Sequence, residues 1–156
     1  MAGVMPEQDP FNLTRFLQAQ ETTYESVLEE IRHGRKLTHW MWFIFPQVAG
    51  LGFSSTSVFY AIKTLDEARA FLADTVLGSH LEDCCRALLA LENLTVHEIF
   101  GNPDDLKLRS SMTLFAYVAP PGSVFEQVLA KYCDGKPDQL TIELLGNELS
   151  THETGV

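Results

Sequence analysis

The chain has 156 residues, 46% of them hydrophobic and 21% charged, with a formal net charge of −10 at pH 7. This length predicts a single domain with a sizeable core, and the acidic balance argues against nucleic acid as a partner, because neutralising phosphates needs a broad basic face. No apolar run approaches the roughly 18–20 residues that span a bilayer, so membrane insertion is not expected.

The N-terminal sequence and the three cysteines indicate a cytoplasmic location. The first ten residues have no basic segment followed by an apolar one, which argues against a secretory signal. Cys84 and Cys85 are adjacent and Cys133 is far away along the chain, so their spacing does not suit a metal site. Buried thiols that act as small hydrophobic groups explain them better than a redox role. Neither a metal nor another cofactor is predicted.

Helical periodicity follows a polar, proline-containing start. Residues 1–9 are expected to form a flexible tail. Asn12 is the predicted N-cap of a helical stripe over 13–31, with an uncertain join near 20–23. Gly34 is the predicted C-terminal stop of this stripe.

The next stretch is harder to assign. Residues 39–45 are apolar on nearly every side, so period alone does not separate a buried helix from a strand, and a short extended piece near residue 42 is allowed. Pro46 ends it. Residues 55–62 have the pattern of a short helix. Its predicted inward side chains are Val58, Phe59 and Ile62.

Four Ser/Thr-x-x-Glu capping boxes predict helix starts in the second half of the chain. They are Thr64 with Glu67, Ser79 with Glu82, Thr95 with Glu98, and Ser123 with Glu126. Asn102 is a further predicted N-cap, with Pro103 at the first helical position of a buried central helix that reaches 118. A last short helix is predicted over 138–145. Together these signals predict an all-α, compact single-domain bundle of about seven helices, some short, over 10–146, with 147–156 as a second flexible tail.

The segment between Ile31 and Leu65 has no acidic side chain, although the whole chain is acidic. Because it holds four bases, two histidines and both tryptophans, it is a candidate site for a small anion or for a partner. The candidate ligand-binding residues in it are Arg35, Lys36, Trp40, Trp42, Gln47, Gly50 and Gly52. The bases would hold a phosphate or carboxylate beside amide groups of the glycine turn, and a tryptophan would stack on a ring. Cations at a helix end and tryptophans in the core are the simpler alternatives.

Two residues are candidates for catalysis. His39 has the side chain best suited to proton transfer near neutral pH. The alternative to this catalytic role is a structural one, in which the imidazole makes a hydrogen bond to a backbone carbonyl at the edge of the core. Asp104 could supply the carboxylate of an acid–base step. Lys107, Ser110 and Ser111 follow it as candidate ligand-binding residues on a pocket wall. The simpler alternative is a well-capped helix with a solvated face.

A series of short motifs points to a family. They are Arg15-Phe16, Ala19-Gln20, Tyr24, Gly34 to Lys36, His39 to Gln47, Gly50 to Gly52, Tyr60 to Ile62, Leu77-Gly78, Ile99 to Gly101, Asp104 to Lys107 and Ser110 to Phe115. Over about residues 10–145 they closely resemble an uncharacterised bacterial family that looks mainly α-helical, whose members often carry the automatic label "calpastatin". The resemblance implies the fold. A calpastatin-like inhibitor would be a disordered repeat, whereas this chain is predicted to be compact.

The order of an aromatic-glycine pair, a polar turn and a small-residue helix over 100–111 is also similar to the NADAR (YbiA-like) families, which are associated with ADP-ribose and N-glycosidic bond chemistry. This resemblance implies that Arg35, Lys36 or Lys107 holds phosphates. It also implies that a carboxylate such as Asp104 faces an oxocarbenium-like centre while a tryptophan stacks on the base.

Three hypotheses follow. The first is a protein that binds a phosphorylated or nucleotide-like small molecule of the ADP-ribose type, with hydrolysis of an N-glycosidic bond as its reaction if it is an enzyme. The second is a non-enzymatic protein-interaction or self-association module, since exposed Trp and Arg anchor such contacts. The third is that the His39-to-Phe45 block is simply core. The oligomeric state is not predicted.

Overall fold

The computed structural model describes the backbone of residues 8–154 and the side chains of residues 8–147. Within this part of the chain there are ten α-helices and no strand. The helices are α1 (Thr14–Glu21), α2 (Tyr24–Arg32), α3 (Met41–Ile44), α4 (Ser55–Tyr60), α5 (Leu65–Ala73), α6 (Thr75–Ala90), α7 (Val96–Phe100), α8 (Asp104–Val118), α9 (Val124–Tyr132) and α10 (Gln139–Thr154). The predicted all-α class is confirmed. Residues 1–7 of the predicted N-terminal tail and residues 155–156 of the predicted C-terminal tail lie outside the described residues. The last helix is longer than the predicted 138–145, because α10 continues to Thr154 through most of the segment predicted as the second tail.

The first helix starts differently from its prediction. Asn12 is not the N-cap, because its φ is +52°. The Asp9 carboxylate instead accepts hydrogen bonds from the amides of Leu13, at 2.7 Å, and Thr14, at 3.0 Å. Asp9 therefore satisfies the free amides at this helix end. The predicted join near 20–23 is confirmed by the break between α1 and α2.

Of the four predicted capping boxes, one is complete, two keep only the hydroxyl cap and one does not start a helix. Thr95 and Glu98 form the complete reciprocal box at the start of α7. Thr64 and Ser123 cap α5 and α9 with their hydroxyls, but their glutamates turn to other backbone amides. The Ser79–Glu82 box is wrong.

The true start of α6 lies upstream, where the Asp74 carboxylate accepts hydrogen bonds from the amides of Val76, at 3.0 Å, and Leu77, at 2.9 Å. Asp74 has no glutamate three residues later, so it does not match the capping-box pattern. The sequence Ser79-x-x-Glu82 does match this pattern and therefore predicts a helix start more strongly, although the helix begins elsewhere. Asn102 is likewise not the cap of α8, which begins at Asp104 with Pro103 in the N-cap position.

The segment between α3 and α5 corrects two further predictions. Residues 41–44 are helical, and the extended contact lies later, where Val48 and Ile62 form an isolated parallel bridge. Val58 and Phe59 do not point inward, since they are 54% and 51% exposed. Tyr60 takes the inward position of α4, with its ring 5.7 Å from that of Phe43.

The core runs through the middle of the bundle. Rings of Phe16, Phe71, Phe115 and Phe125 follow one another at centroid separations of 5.0, 5.3 and 5.8 Å, and they join α1, α5, α8 and α9. Such aromatic pairs stabilise a core beyond their area burial. The predicted central helix is confirmed as α8, which contacts α5, α7, α9 and α10. No helix in the described residues is long and apolar enough to cross a membrane.

Candidate functional site

The loop between α2 and α3 is held by one carboxylate, that of Glu30. It accepts hydrogen bonds from the amides of Leu37 and Thr38, at 2.6 and 3.0 Å, from the Thr38 hydroxyl at 2.6 Å, and from Trp40 Nε1 at 2.9 Å. Partial burial raises the pKa of Glu30, but these hydrogen bonds outweigh it and leave that pKa below its usual value. The loop that carries Lys36 and Trp40 is thereby fixed to α2.

Two lysines meet one aspartate where this loop contacts α8. Lys36 Nζ lies 2.9 Å from Asp104 Oδ2, and Lys107 Nζ lies 3.5 Å from Asp104 Oδ1. The Lys36 ammonium also donates to the Thr38 carbonyl at 2.6 Å, and its side chain is only 8% exposed. The Lys107 side chain is 24% exposed. Two cations share one carboxylate, so these three groups carry a net charge of +1.

Each lysine also lies over an indole ring. Lys36 Nζ is 5.1 Å from the centroid of Trp40, and Lys107 Nζ is 5.2 Å from that of Trp42. These distances suit cation–π attraction. We call Lys36, Trp40, Trp42, Asp104 and Lys107 the lysine–tryptophan cluster. It brings five of the predicted site residues together from segments that are far apart in sequence.

The two tryptophans differ in burial. Trp40 is 2% exposed and packs against Phe45 and Phe100, so it belongs to the core. Trp42 is half-buried and, with Gln47 and Gly52, lines a cavity of about 10 Å³. That volume holds about one water molecule. A planar ligand ring therefore requires a rearrangement before it can stack on Trp42.

None of the remaining predicted residues has a side-chain hydrogen bond or ion pair with the cluster among the described residues. Arg35 and His39 are exposed, and neither side chain has a hydrogen bond or ion pair within the described residues. Gly50 packs against α10, because a Cβ there would lie 3.4 Å from the Leu144 side chain. Ser110 and Ser111 face the core. Ser110 Oγ donates to the Leu106 carbonyl oxygen at 3.2 Å, and the buried Ser111 hydroxyl has no hydrogen-bond partner among the described residues.

One polar arrangement was missed by the sequence analysis. The His80 ring stacks on Tyr24 with centroids 3.5 Å apart, and its Nδ1 lies 2.7 Å from Gln20 Oε1. Gln20 Nε2 donates to the Phe43 carbonyl at 2.7 Å, so the amide oxygen of Gln20 accepts the His80 Nδ1 proton. Burial lowers the pKa of His80 and favours the neutral ring. Tyr24 and His80 lie on different helices far apart in sequence, so no local spacing signals the pair.

The chain is similar to proteins whose function is not established. Residues 10–145 match the sequence model of a family described as protein of unknown function, DUF1810. A conserved hypothetical protein from Mycobacterium tuberculosis, whose crystal structure is known, shares 49% sequence identity with this chain, and the two structures superpose with a TM-score of 0.86. That match covers 88% of this chain and 98% of the other. No curated protein matches the chain.

Proposed function

The chain belongs to the DUF1810 family of proteins of unknown function, and we propose that it binds a phosphorylated, nucleotide-like small molecule at the lysine–tryptophan cluster. ADP-ribose represents this class of ligand. We also infer that residues 10–146 form one domain and that the protein is cytoplasmic.

The observation that carries the proposal is the sharing of Asp104 by two ammonium groups. Lys36 and Lys107 lie 2.9 and 3.5 Å from its two oxygens, so these three groups together carry a charge of +1. The Glu30 carboxylate of α2 is engaged by amides of the loop between α2 and α3 and by Trp40 Nε1. In a chain of net charge −10, a local excess of positive charge favours an anion at this position. A phosphate group suits ammonium donors, because its oxygens accept charge-assisted hydrogen bonds.

The two lysines have different roles in this proposal. Lys36 is nearly buried and is held by Asp104, by the Thr38 carbonyl and by the Trp40 ring, so it forms the fixed part of the site. Lys107 is more exposed and its contact with Asp104 is longer. On binding, its ammonium group turns from the Trp42 ring to the phosphate. The uncovered indole then stacks on the base or sugar of the ligand.

The chemistry that we propose for this site is hydrolysis of an N-glycosidic bond. Asp104 supplies the carboxylate that stabilises an oxocarbenium-like centre. His39, whose imidazole is exposed and has no hydrogen bond within the described residues, gives a proton to the base as the N-glycosidic bond breaks. Water then bonds to the anomeric carbon and its released proton returns to the imidazole. Arg35, also exposed, contributes a second contact to a diphosphate.

Thermal-shift measurements with ADP-ribose, AMP, ribose 5-phosphate and inorganic phosphate at about 1 mM test the binding proposal. A 100-fold excess over the dissociation constant adds about 2.7 kcal/mol of stability. Lys107→Ala should remove this stabilisation. Lys63→Ala is the matched control, because Lys63 is an exposed lysine outside the cluster. No stabilisation of the wild type by any of the four compounds would refute the proposal.

Hydrolysis is tested separately by chromatography of the released base after incubation with ADP-ribose and NAD. Asp104→Asn should abolish release while Lys63→Ala leaves it unchanged. Binding without release of base would limit the function to ligand binding. Release that survives Asp104→Asn would place the reaction elsewhere.

A second candidate function is self-association or protein interaction, and the exposed aromatic surface at α4 favours it. Phe53 is 88% exposed, and the half-exposed Val58 and Phe59 line a groove of about 510 Å³ with Phe11 and Lys63. Exposed apolar side chains grouped in this way mark interaction sites more often than single ones do.

Light scattering with size-exclusion chromatography separates the two functions. If the α4 surface mediates self-association, the wild type shows a concentration-dependent mass and Phe53→Ser with Phe59→Ser restores the monomer mass. Leu106→Ser is the matched control, because Leu106 is a singly exposed apolar residue at 54%. A wild-type mass that does not change with concentration argues against self-association.

A further inference from the structure

A cleft of about 500 Å³ opens between α5, α6 and the loop that joins α8 to α9. Its floor is apolar and includes Leu72, Val118, Pro121 and Phe125. Phe125 is 2% exposed and packs on Phe115, so the floor is continuous with the core. The volume lies in the range of small-molecule sites, which are mostly apolar with a few polar groups.

The loop wall of this cleft is held in place by its own hydrogen bonds. Two consecutive prolines, Pro120 and Pro121, restrict the backbone. The Glu126 carboxylate accepts from the Gly122 amide at 2.7 Å, and Ser123 Oγ accepts from the Glu126 amide at 3.3 Å. Because this loop is already restricted, it loses little conformational entropy when a ligand binds, which favours association.

The charged groups at the rim include two arginines that differ in how fully they are paired. Two guanidinium groups, Arg69 of α5 and Arg86 of α6, line the cleft together with one carboxylate, Glu82. Their sum is +1. Arg86 is engaged by Glu82 at 3.4 Å and by Asp83 at 3.7 Å.

Arg69 is the more available of the two arginines. Its ion pair with Asp66, at 3.1 Å, is formed by side chains that are 56% and 78% exposed, and Asp66 does not line the cleft. Exposed pairs of this kind contribute little. The pair uses one Nη atom of Arg69, so the other donors of its guanidinium are available to a ligand in the cleft.

We propose that this cleft binds a small amphipathic monocarboxylate, with its apolar ring or chain on the floor and its carboxylate on Arg69. The site is distinct from the lysine–tryptophan cluster and takes a different class of ligand. A carboxylate is preferred to a phosphate ester with two negative charges, because the lining offers one guanidinium with available donors, that of Arg69. Arg86 is engaged by Glu82 and Asp83.

The test uses three probes that share a phenyl group: 4-phenylbutyrate, the neutral 4-phenylbutanol and phenyl phosphate. Each is titrated into the ¹⁵N-labelled full chain, and amide shifts are followed by NMR. Saturable shifts with 4-phenylbutyrate are expected over residues 118–125. Binding of the alcohol and of phenyl phosphate should be weaker by about fivefold, the effect of one exposed ion pair.

Two variants and a control locate the contacts. Arg69→Gln should lower the affinity for 4-phenylbutyrate to that for 4-phenylbutanol. Arg32→Gln should leave this affinity unchanged, because Arg32 is an exposed arginine on α2, outside the cleft. Ala73→Trp fills the cleft from its rim and should remove the binding of all three probes. Circular dichroism checks that each variant is folded.

Several results would overturn the inference. These are shifts centred outside 118–125, binding that survives Ala73→Trp, equal affinity for acid and alcohol in the wild type, or tighter binding of phenyl phosphate than of 4-phenylbutyrate. If Arg69→Gln binds the acid as the wild type does, the carboxylate is not on Arg69 and the assignment fails. Failure here leaves the nucleotide proposal untouched, because that proposal is tested with Lys107→Ala.

Discussion

Removing the charge of Glu67 should destabilise the fold more than any exposed carboxylate would. Arg15 and Glu67 are each 4% exposed, and Nη2 of the arginine lies 2.5 Å from Oε2 of the glutamate. Four carbonyl contacts complete the arginine shell, among them Phe59 O at 2.8 Å and Ala61 O at 3.1 Å. Glu67 Oε1 also accepts from the Lys63 amide at 2.9 Å. The pair thus joins α1, the end of α4 and the start of α5.

The magnitude follows from what remains after substitution. Breaking a buried ion pair on one side costs about 3–5 kcal/mol, because the other charge stays buried without compensation. Glu67→Gln should cost about 3 kcal/mol, since the amide oxygen and the four carbonyls still accept hydrogen bonds from Arg15. Glu67→Ala should cost about 4–5 kcal/mol, because it also leaves the Lys63 amide without its acceptor and opens a cavity.

Urea denaturation followed by circular dichroism measures these losses. Glu143→Gln is the control, because Glu143 is exposed on α10, and it should change the free energy of unfolding by less than about 0.5 kcal/mol. A loss below about 1 kcal/mol for Glu67→Gln would refute the reasoning. It would mean that the carbonyl shell alone compensates the buried guanidinium.

Three further predictions concern stability. The pKa of Glu30 is lowered in the folded protein, so the stability that its carboxylate contributes is present above the unfolded value near 4.5 and is lost as the pH falls through the folded pKa. Glu30→Gln should therefore be less stable than the wild type at pH 7. In urea titrations, this difference in the free energy of unfolding should shrink below about pH 4.5. Gly78→Ala should destabilise by more than about 2 kcal/mol, because its Cβ would lie 2.2 Å from the Leu72 carbonyl oxygen, whereas Gly146→Ala, in open space on α10, should gain up to about 1 kcal/mol; equal effects in thermal melts would contradict this. Thr95→Ala should cost about 1 kcal/mol through loss of the capping box, and a melting temperature equal to wild type would show that the box is dispensable.

The helical class was predictable because its signals are local. Each of three features is encoded by residues that are close together in the chain: the Thr95–Glu98 box, the break near Gln20 and the buried helix α8. Asp74 was missed because its cap lacks the reciprocal glutamate. Asn12 was wrongly chosen because the better acceptor, Asp9, lies within a stretch predicted to be a tail.

The candidate site was predictable only in part, because its charges come from distant segments. The sequence between Ile31 and Leu65 has no acid, yet Glu30 and Asp104 both reach it in space. Lys36, Trp42 and Lys107 could be singled out by residue type. Their mutual contacts, and the core position of Trp40, depend on packing that no local spacing records.

The bridge between Val48 and Ile62 closes residues 49–61 into a loop whose two ends are held side by side. Compact loops closed in this way tolerate changes at their tips, because the rest of the chain is anchored at the neck. Phe53 lies at such a tip and is almost fully in solvent. A cysteine placed there would carry a spectroscopic label next to Gly52, which lines the cavity at Trp42, while the natural cysteines, all buried, stay unreactive.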